Sequence, residues 1–173
     1  MTGAGDATVR PYNRMVMSSI KALTGLRIAV GALFLIFGEY KVVGTQFTLG
    51  GAFQDWINRF LQYGAYPFMV PVLKNFVLRH ATPIAFLVAY GELAIGTALV
   101  LGILVRPASI CGVIYMSTLL FSANYPGPHP AFWQYFGASL EHLVLAVCFA
   151  SFASTNPQEI LSIRNFLRPP PAV

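Results

Sequence analysis

The stretch PIAFLVAYGELAIGTALVLGILV, Pro83 to Val105, decides the fold: it is apolar almost throughout and carries one charged residue, Glu92. A run of that length with so little charge reads as a helix that crosses a membrane. Pro83 suits a first helical turn, where its missing N–H costs nothing. Three further spans read outward from it, over residues 26–43, 107–122 and 137–153. The first, Leu26 to Val43, rises about 27 Å as a helix, close to the hydrocarbon thickness. The third again starts at a proline, and Asn156-Pro157 stops the fourth. The expected fold is all-α, an integral membrane four-helix bundle.

Composition agrees. Hydrophobic residues make up 56% of the 173 residues and charged ones 10%, with a mean hydropathy of +0.64. A soluble domain carries nearer a quarter charged residues, so the outer solvent is lipid. The net charge of +5 comes from scattered Lys and Arg at helix ends and in loops. That is the distribution that sets membrane topology rather than one that grips nucleic acid, so no nucleic-acid partner is expected. The basic leader (1–24), the loop with Arg106 and the Pro-rich tail (155–173) with Arg164 and Arg168 alternate with a loop, Ala123 to Phe136, that has neither Lys nor Arg. Both termini are therefore expected in the cytoplasm, and the chain in the cell (inner) membrane. The leader is expected to fray at its start, and Pro169-Pro170-Pro171 to run extended. Tyr125, Phe132, Trp133 and Tyr135 would join the outer aromatic belt.

About 40 residues separate the first two spans, too many for a structureless loop. Phe53, Trp56, Ile57, Phe60 and Leu61 recur at helical spacing, with Gln54, Asp55, Asn58, Arg59 and Gln62 on the other face. This predicts an amphipathic interfacial helix, and Pro71 starts a second candidate with Val72, Leu73, Phe76 and Val77 apolar. The segment reads as a cap over the bundle, or as a lid that gates it.

Charge inside a span is costly, so it needs a partner or a watery cavity. On a helix at 100° per residue, Arg27, Gly31, Gly38 and Lys41 fall within about 80°, and Glu92, Gly96, Gly102 and Arg106 within about 120°. Small residues beside polar ones mark packing faces in membrane bundles, so these two faces are expected to meet. Glu92 lies near mid-membrane, as a proton-handling group or as a structural carboxylate held by a neighbouring span. Lys41 either snorkels outward or pairs with a carboxylate. Glu39 reaches the headgroups or joins the same pocket; Arg27 and Arg106 anchor the inner ends or pair within it. Glu141-His142, one turn below the outer surface, is a second candidate proton-handling pair, because His exchanges protons near neutral pH. Only one of these adjacent side chains is expected to face the centre. A metal site is not expected, since the other two histidines, His80 and His129, lie in outer loops. Cys111, Tyr115, Thr118 and Ser122 form a softer stripe that suits helix–helix glue. Cys111 and Cys148 read as small hydrophobes rather than as a disulfide.

The pieces Arg27-x3-Gly31-x6-Gly38-x2-Lys41 and Glu92-x3-Gly96-x5-Gly102-x3-Arg106, with GELAIGTALVLGILVRPAS around the second, resemble the DoxX/DoxD family of four-span membrane proteins. The likeness covers about residues 25–154. It implies a membrane subunit linked to redox chemistry. DoxD-type members belong to thiosulfate:quinone oxidoreductase, which passes electrons from thiosulfate to quinone; other members attach to oxidative-stress or thiol-redox complexes. The related MauE-like proteins use cysteine pairs, and this chain has no close pair. Quinone is thus the expected cofactor, with other protein subunits and the lipid bilayer as partners. No haem, flavin or iron–sulfur motif is present. The competing expectation is a non-catalytic scaffold or assembly partner; a small-solute transporter ranks last, without inverted repeats.

Overall fold

The computed structural model describes residues 6–137 and 139–155, and every regular element among them is helical. In chain order these are α1 (Asp6–Val43), α2 (Ala52–Gln62), α3 (Val70–Val72), α4 (Ala81–Leu101), α5 (Val105–Ser122), α6 (Gln134–Gly137) and α7 (Leu140–Ser154). A π-helical turn, Leu73–Val77, and a 3-10 turn, Leu78–His80, carry α3 into α4. Among the described residues, three stretches are long and apolar enough to cross a membrane: Ser18–Val43, Val70–Leu101 and Val105–Ser122. α7 is apolar but has 15 residues, about 22 Å of helix. Large apolar side chains such as Ile36, Leu87 and Ile114 are more than half exposed. Apolar surface of that extent on long helices is what lipid-facing bundles present. The chain is a helical membrane bundle.

Helix bounds differ from the sequence reading where glycine intervenes. Helix α4 ends at Leu101, not at Val105, because Gly102 takes the left-handed conformation at φ 69°. The Gly102 and Ile103 N–H groups both return to the Ala98 carbonyl, closing the helix end. Gly102 therefore stops the helix instead of extending its packing face. α5 begins two residues before Pro107, which sits in the first turn where no N–H is needed. Helix α1 takes in the leader from Asp6 onward, without a break before the first span. The Asn156-Pro157 stop and the Pro169–Pro171 tail lie outside the described residues.

Helix α1 packs along α4 and α5 along α7, while α4 touches α5. In lipid the hydrophobic effect does not draw helices together, so close backbone approach matters more. Glycine provides it. A Cβ built on Gly96 would stand 2.8 Å from the Gly31 carbonyl oxygen and from Leu35 N, and one on Gly38 would stand 2.9 Å from Leu93 N. The expected meeting of the two glycine-bearing faces is what the fold contains. Gly112 plays the same part between α5 and α7, where a Cβ would lie 2.5 Å from the Phe149 ring. Phe149 is fully buried and edges both Phe34 and Phe152, so it has nowhere to swing. Gly112→Ala is expected to cost about 1–3 kcal/mol through overpacking, read as a lower unfolding midpoint in detergent. An unchanged midpoint would show that the α5–α7 seam yields.

The segment between α1 and α4 caps one end of the bundle, termed the loop end here; the end bearing Arg27 and Arg106 is the Arg end. Phe53 and Ile57 of α2 are buried, with Phe60 and Leu61 packed beside them on Leu73, Ala81 and Ala85. Trp56, expected on the same face, is instead 51% exposed, with the Arg59 guanidinium 5.4 Å from its ring. Residues 70–80 are not a separate interfacial helix but the continuation of α4. The cap is braced to the loop before α7: Tyr66 N–H donates to the Phe121 carbonyl, and Tyr125 N–H to that of Gly64. Tyr66 OH donates to the Tyr135 carbonyl at 2.8 Å. Burial first, then the Tyr135 and Tyr125 phenols, holds the Tyr66 hydroxyl above its ordinary pKa, so it stays a donor. Tyr125 and Tyr135 thus pack around Tyr66, leaving Phe132 and Trp133 as the exposed aromatics of that loop.

Candidate functional site

Three long helices each contribute one polar side chain to a single buried cluster. Glu92, eleven residues into α4, is 5% exposed. Its Oε1 accepts from the Lys41 ammonium of α1 and from the Tyr115 hydroxyl of α5, the latter at 2.6 Å. Its Oε2 is buried and makes no hydrogen bond.

The local geometry explains why these groups meet. Lys41 is third from the end of α1, one turn beyond Gly38. Side chains lean toward the N-terminus of their helix, so the long Lys41 stem reaches back toward mid-bundle. Contact between Gly38 and Leu93 brings the α1 and α4 backbones close enough for it to arrive at Glu92, the neighbour of Leu93. From the third side, Tyr115 lies with its ring edge-on to Phe34 at 6.5 Å. Below the cluster the floor is apolar: Phe34, Met116 and Phe149 are all buried. Above it, the Phe47 ring covers the Lys41 ammonium at 5.2 Å and is edged in turn by Phe53 of the cap at 5.5 Å. An ammonium against a ring face keeps part of its charge solvated without water.

The other candidate residues lie elsewhere. Glu39 is exposed on α1, pointing away from the Lys41 face. Arg27 is completely buried, but it lies fourteen residues before Lys41, about 21 Å lower along α1. Arg106 is exposed at the Arg end, where its Nε donates to the Ala153 carbonyl at 3.2 Å. That bond satisfies one of the open carbonyls at the end of α7. Of the alternatives open for these residues, Lys41 and Glu92 meet, and the two arginines lie at the opposite end, outside that pairing. At the start of α7, the Glu141 side chain is 65% exposed and that of His142 27% exposed. Of this pair, His142 is the one turned inward, with Nδ1 buried and 3.1 Å from Glu141 Oε1.

Two members of the site were not legible as such. Tyr115 belongs to the predicted hydroxyl stripe, but the stripe does not act as one unit. Thr118 and Ser122 bond back to the Ile114 and Thr118 carbonyls of their own helix, and Cys111 is exposed. Only the phenol is long enough to reach a neighbouring carboxylate. Phe47 sits in an irregular loop, where no periodicity marks it. Cys111 and Cys148 are both free thiols.

The arrangement can do two things chemically. It offers two hydrogen-bond donors, an ammonium and a phenol, beside a carboxylate with one oxygen to spare. It also encloses them in apolar walls, where such groups act on a ligand more strongly than in water. No curated protein and no solved structure matches the chain. A model of the DoxX family matches residues 22–125, a span that contains Lys41, Glu92 and Tyr115 and the glycines that bring their helices together. The chain belongs to the DoxX family.

Proposed function

We propose that the chain is the quinone-interacting membrane subunit of a redox complex, linked to thiosulfate or thiol oxidation, with Glu92 as its proton-handling group. The observation that carries this reading is the state of the Glu92 carboxylate. One oxygen is held by Lys41 and Tyr115, while the other is buried and uncommitted. A buried polar atom without a bond is costly, and such atoms in membrane helices mark functional sites. Reduction of a quinone to a quinol takes up two electrons and two protons, so its site must supply donors and a proton route through an apolar setting. Lys41 and Tyr115 can donate to ring oxygens, and Glu92 Oε2 can pass a proton. His142, turned inward at the loop end of α7, is placed to exchange protons with the surface. Electrons come from a partner subunit or from the reduced substrate directly, since the chain carries no redox-group motif of its own. In this reading α7 is the fourth span, both termini are cytoplasmic, and the Lys41–Glu92 site lies beneath the cap on the outer side of the cell membrane.

In membranes holding the intact complex, Glu92→Gln is expected to lower thiosulfate- or thiol-dependent quinone reduction by about a hundredfold, the worth of a positioned acid–base group. Activity equal to the wild type would reject the assignment.

One observation favours a second reading, a non-catalytic assembly partner. A cavity of about 430 Å³ opens at the loop end between Asn124–Pro126 and Trp133–Gly137, with the Trp133 ring exposed beside it. Under that reading Trp133→Ala releases the chain from its complex in mild detergent and Glu92→Gln leaves quinone reduction intact.

A further inference from the structure

The four long helices form a ring in which one seam differs from the rest. α1 lies along α4, α4 touches α5, α5 lies along α7, and α1 returns to α7 over a short stretch. Glycines draw the α1–α4 and α5–α7 seams tight. The α1–α7 seam is held apart by two bulky side chains, Phe34 and Phe149, whose rings meet edge-on at 5.0 Å.

Lys41 lies seven residues beyond Phe34, and His142 seven residues before Phe149, both toward the loop end. Seven residues are two turns with about 20° of drift, so each stands on the same helix face as its phenylalanine, about 10 Å higher. At that height the seam does not close. Phe37, one turn above Phe34, is 58% exposed. The Lys41 and His142 side chains keep 19% and 27% of their surface open. Just inside stands Glu92, with its free Oε2. Approach from the loop end is obstructed by contrast. Phe47 lies on the Lys41 ammonium, and Phe53, buried in the cap, lies on Phe47.

We propose that the Lys41–Glu92–Tyr115 site is entered sideways from the lipid, between α1 and α7, and that it takes a carbonyl-bearing ring joined to a long apolar tail. The ring passes Phe37 to reach Lys41 and Glu92. The tail stays in the seam, against Phe37, and in the lipid beyond. This rests on the quinone reading of the site, and it adds the class of quinone and its route.

The test uses the full-length chain in lipid nanodiscs, with Cys111→Ser and Cys148→Ser so that one introduced thiol reacts alone. Phe37→Cys is then modified with a bulky thiol reagent that fills the seam, and Ile114→Cys, on the lipid-facing side of α5, serves as the control. Two probes are titrated: a quinone with a long isoprenoid tail, and the same ring without a tail. A bound tail needs the seam, whereas a bound bare ring leaves it empty. Filling the seam at residue 37 is expected to weaken the tailed quinone by about tenfold or more. The tailless ring keeps its equilibrium affinity within about twofold but associates more slowly, and modification at residue 114 changes neither probe. Phe37→Ala, which leaves the site residues in place and widens the entrance, is expected to speed association of the tailed quinone. A tailed quinone that binds the filled protein as well as the open one overturns the portal, as does a tailless ring that associates with the filled protein as fast as with the open one. If neither probe binds the unmodified chain, the quinone reading itself fails.

Discussion

Gly96→Ala is expected to lower the unfolding midpoint while Gly91→Ala, five residues away on the same helix, raises it. Both substitutions replace a helical glycine by the best helix former, which by itself is worth about 0.5–1 kcal/mol. At Gly91 nothing lies within 4 Å of the added methyl group, so that gain should appear nearly whole. At Gly96 the methyl would meet the Gly31 carbonyl and the Leu35 nitrogen at 2.8 Å. Both are α1 backbone atoms, so the only relief is to push α1 away from α4. Overpacking of that kind costs about 1–3 kcal/mol, which outweighs the propensity gain. Thermal unfolding of the two variants in one detergent reads the sign directly. A Gly96→Ala variant as stable as Gly91→Ala would show that α1 and α4 do not meet backbone to backbone. Separating them would also withdraw Lys41 from Glu92, so Gly96→Ala should weaken the site although it carries none of its atoms.

Glu92→Leu and Lys41→Met are each expected to destabilise the protein strongly, and the double variant to recover most of the loss. Removing one member of a buried pair strands the other charge, which typically costs about 3–5 kcal/mol. Replacing both by apolar groups removes the stranded charge, and is often near neutral for the same reason. Lys41→Met should be the worse of the two. Lys41 stands near the end of α1 with a side chain 19% exposed, so it can turn outward once Glu92 is gone. Glu92 is eleven residues inside α4, and its side chain is 6% exposed and too short to reach water. Unfolding midpoints for the wild type, the two single variants and the double variant form a cycle. A coupling of about 2 kcal/mol or more is expected for side chains in contact; additivity would mean that the pair does not hold the helices. On the quinone reading, recovery of the fold in the double variant does not bring back function, because that reading makes Lys41 its donor and Glu92 its proton carrier.

Much of this was readable from sequence because lipid imposes simple rules. Apolar runs mark helices, and the glycine spacing at residues 31, 38 and 96 marks the faces that touch. The same reasoning placed Glu92 inside and allowed for a partner on another span. It could not choose between snorkelling and pairing for Lys41, because both use the same stem and differ only in the α1–α4 crossing. It placed Arg27 and Arg106 at the inner ends and Glu92 near mid-membrane, but left open whether the arginines anchor there or pair within the pocket. All four share the two glycine-bearing faces, and the roughly 21 Å of helix between Arg27 and Lys41 favours the anchoring reading. Gly102 was misread because glycine serves two purposes, close packing and a left-handed helix stop, and only the backbone tells which. Tyr115 was hidden in a stripe of hydroxyls whose shorter members bond to their own helix.

Quinone binding to the purified chain tests the central claim most directly, because it asks for the site without a partner, a donor or turnover. The wild-type protein in nanodiscs is expected to bind about one tailed quinone per chain, and Glu92→Gln to weaken that binding by about tenfold, a loss of ~1.4 kcal/mol. A wild-type chain that binds no quinone, or a Glu92→Gln chain that binds it equally well, would contradict the account.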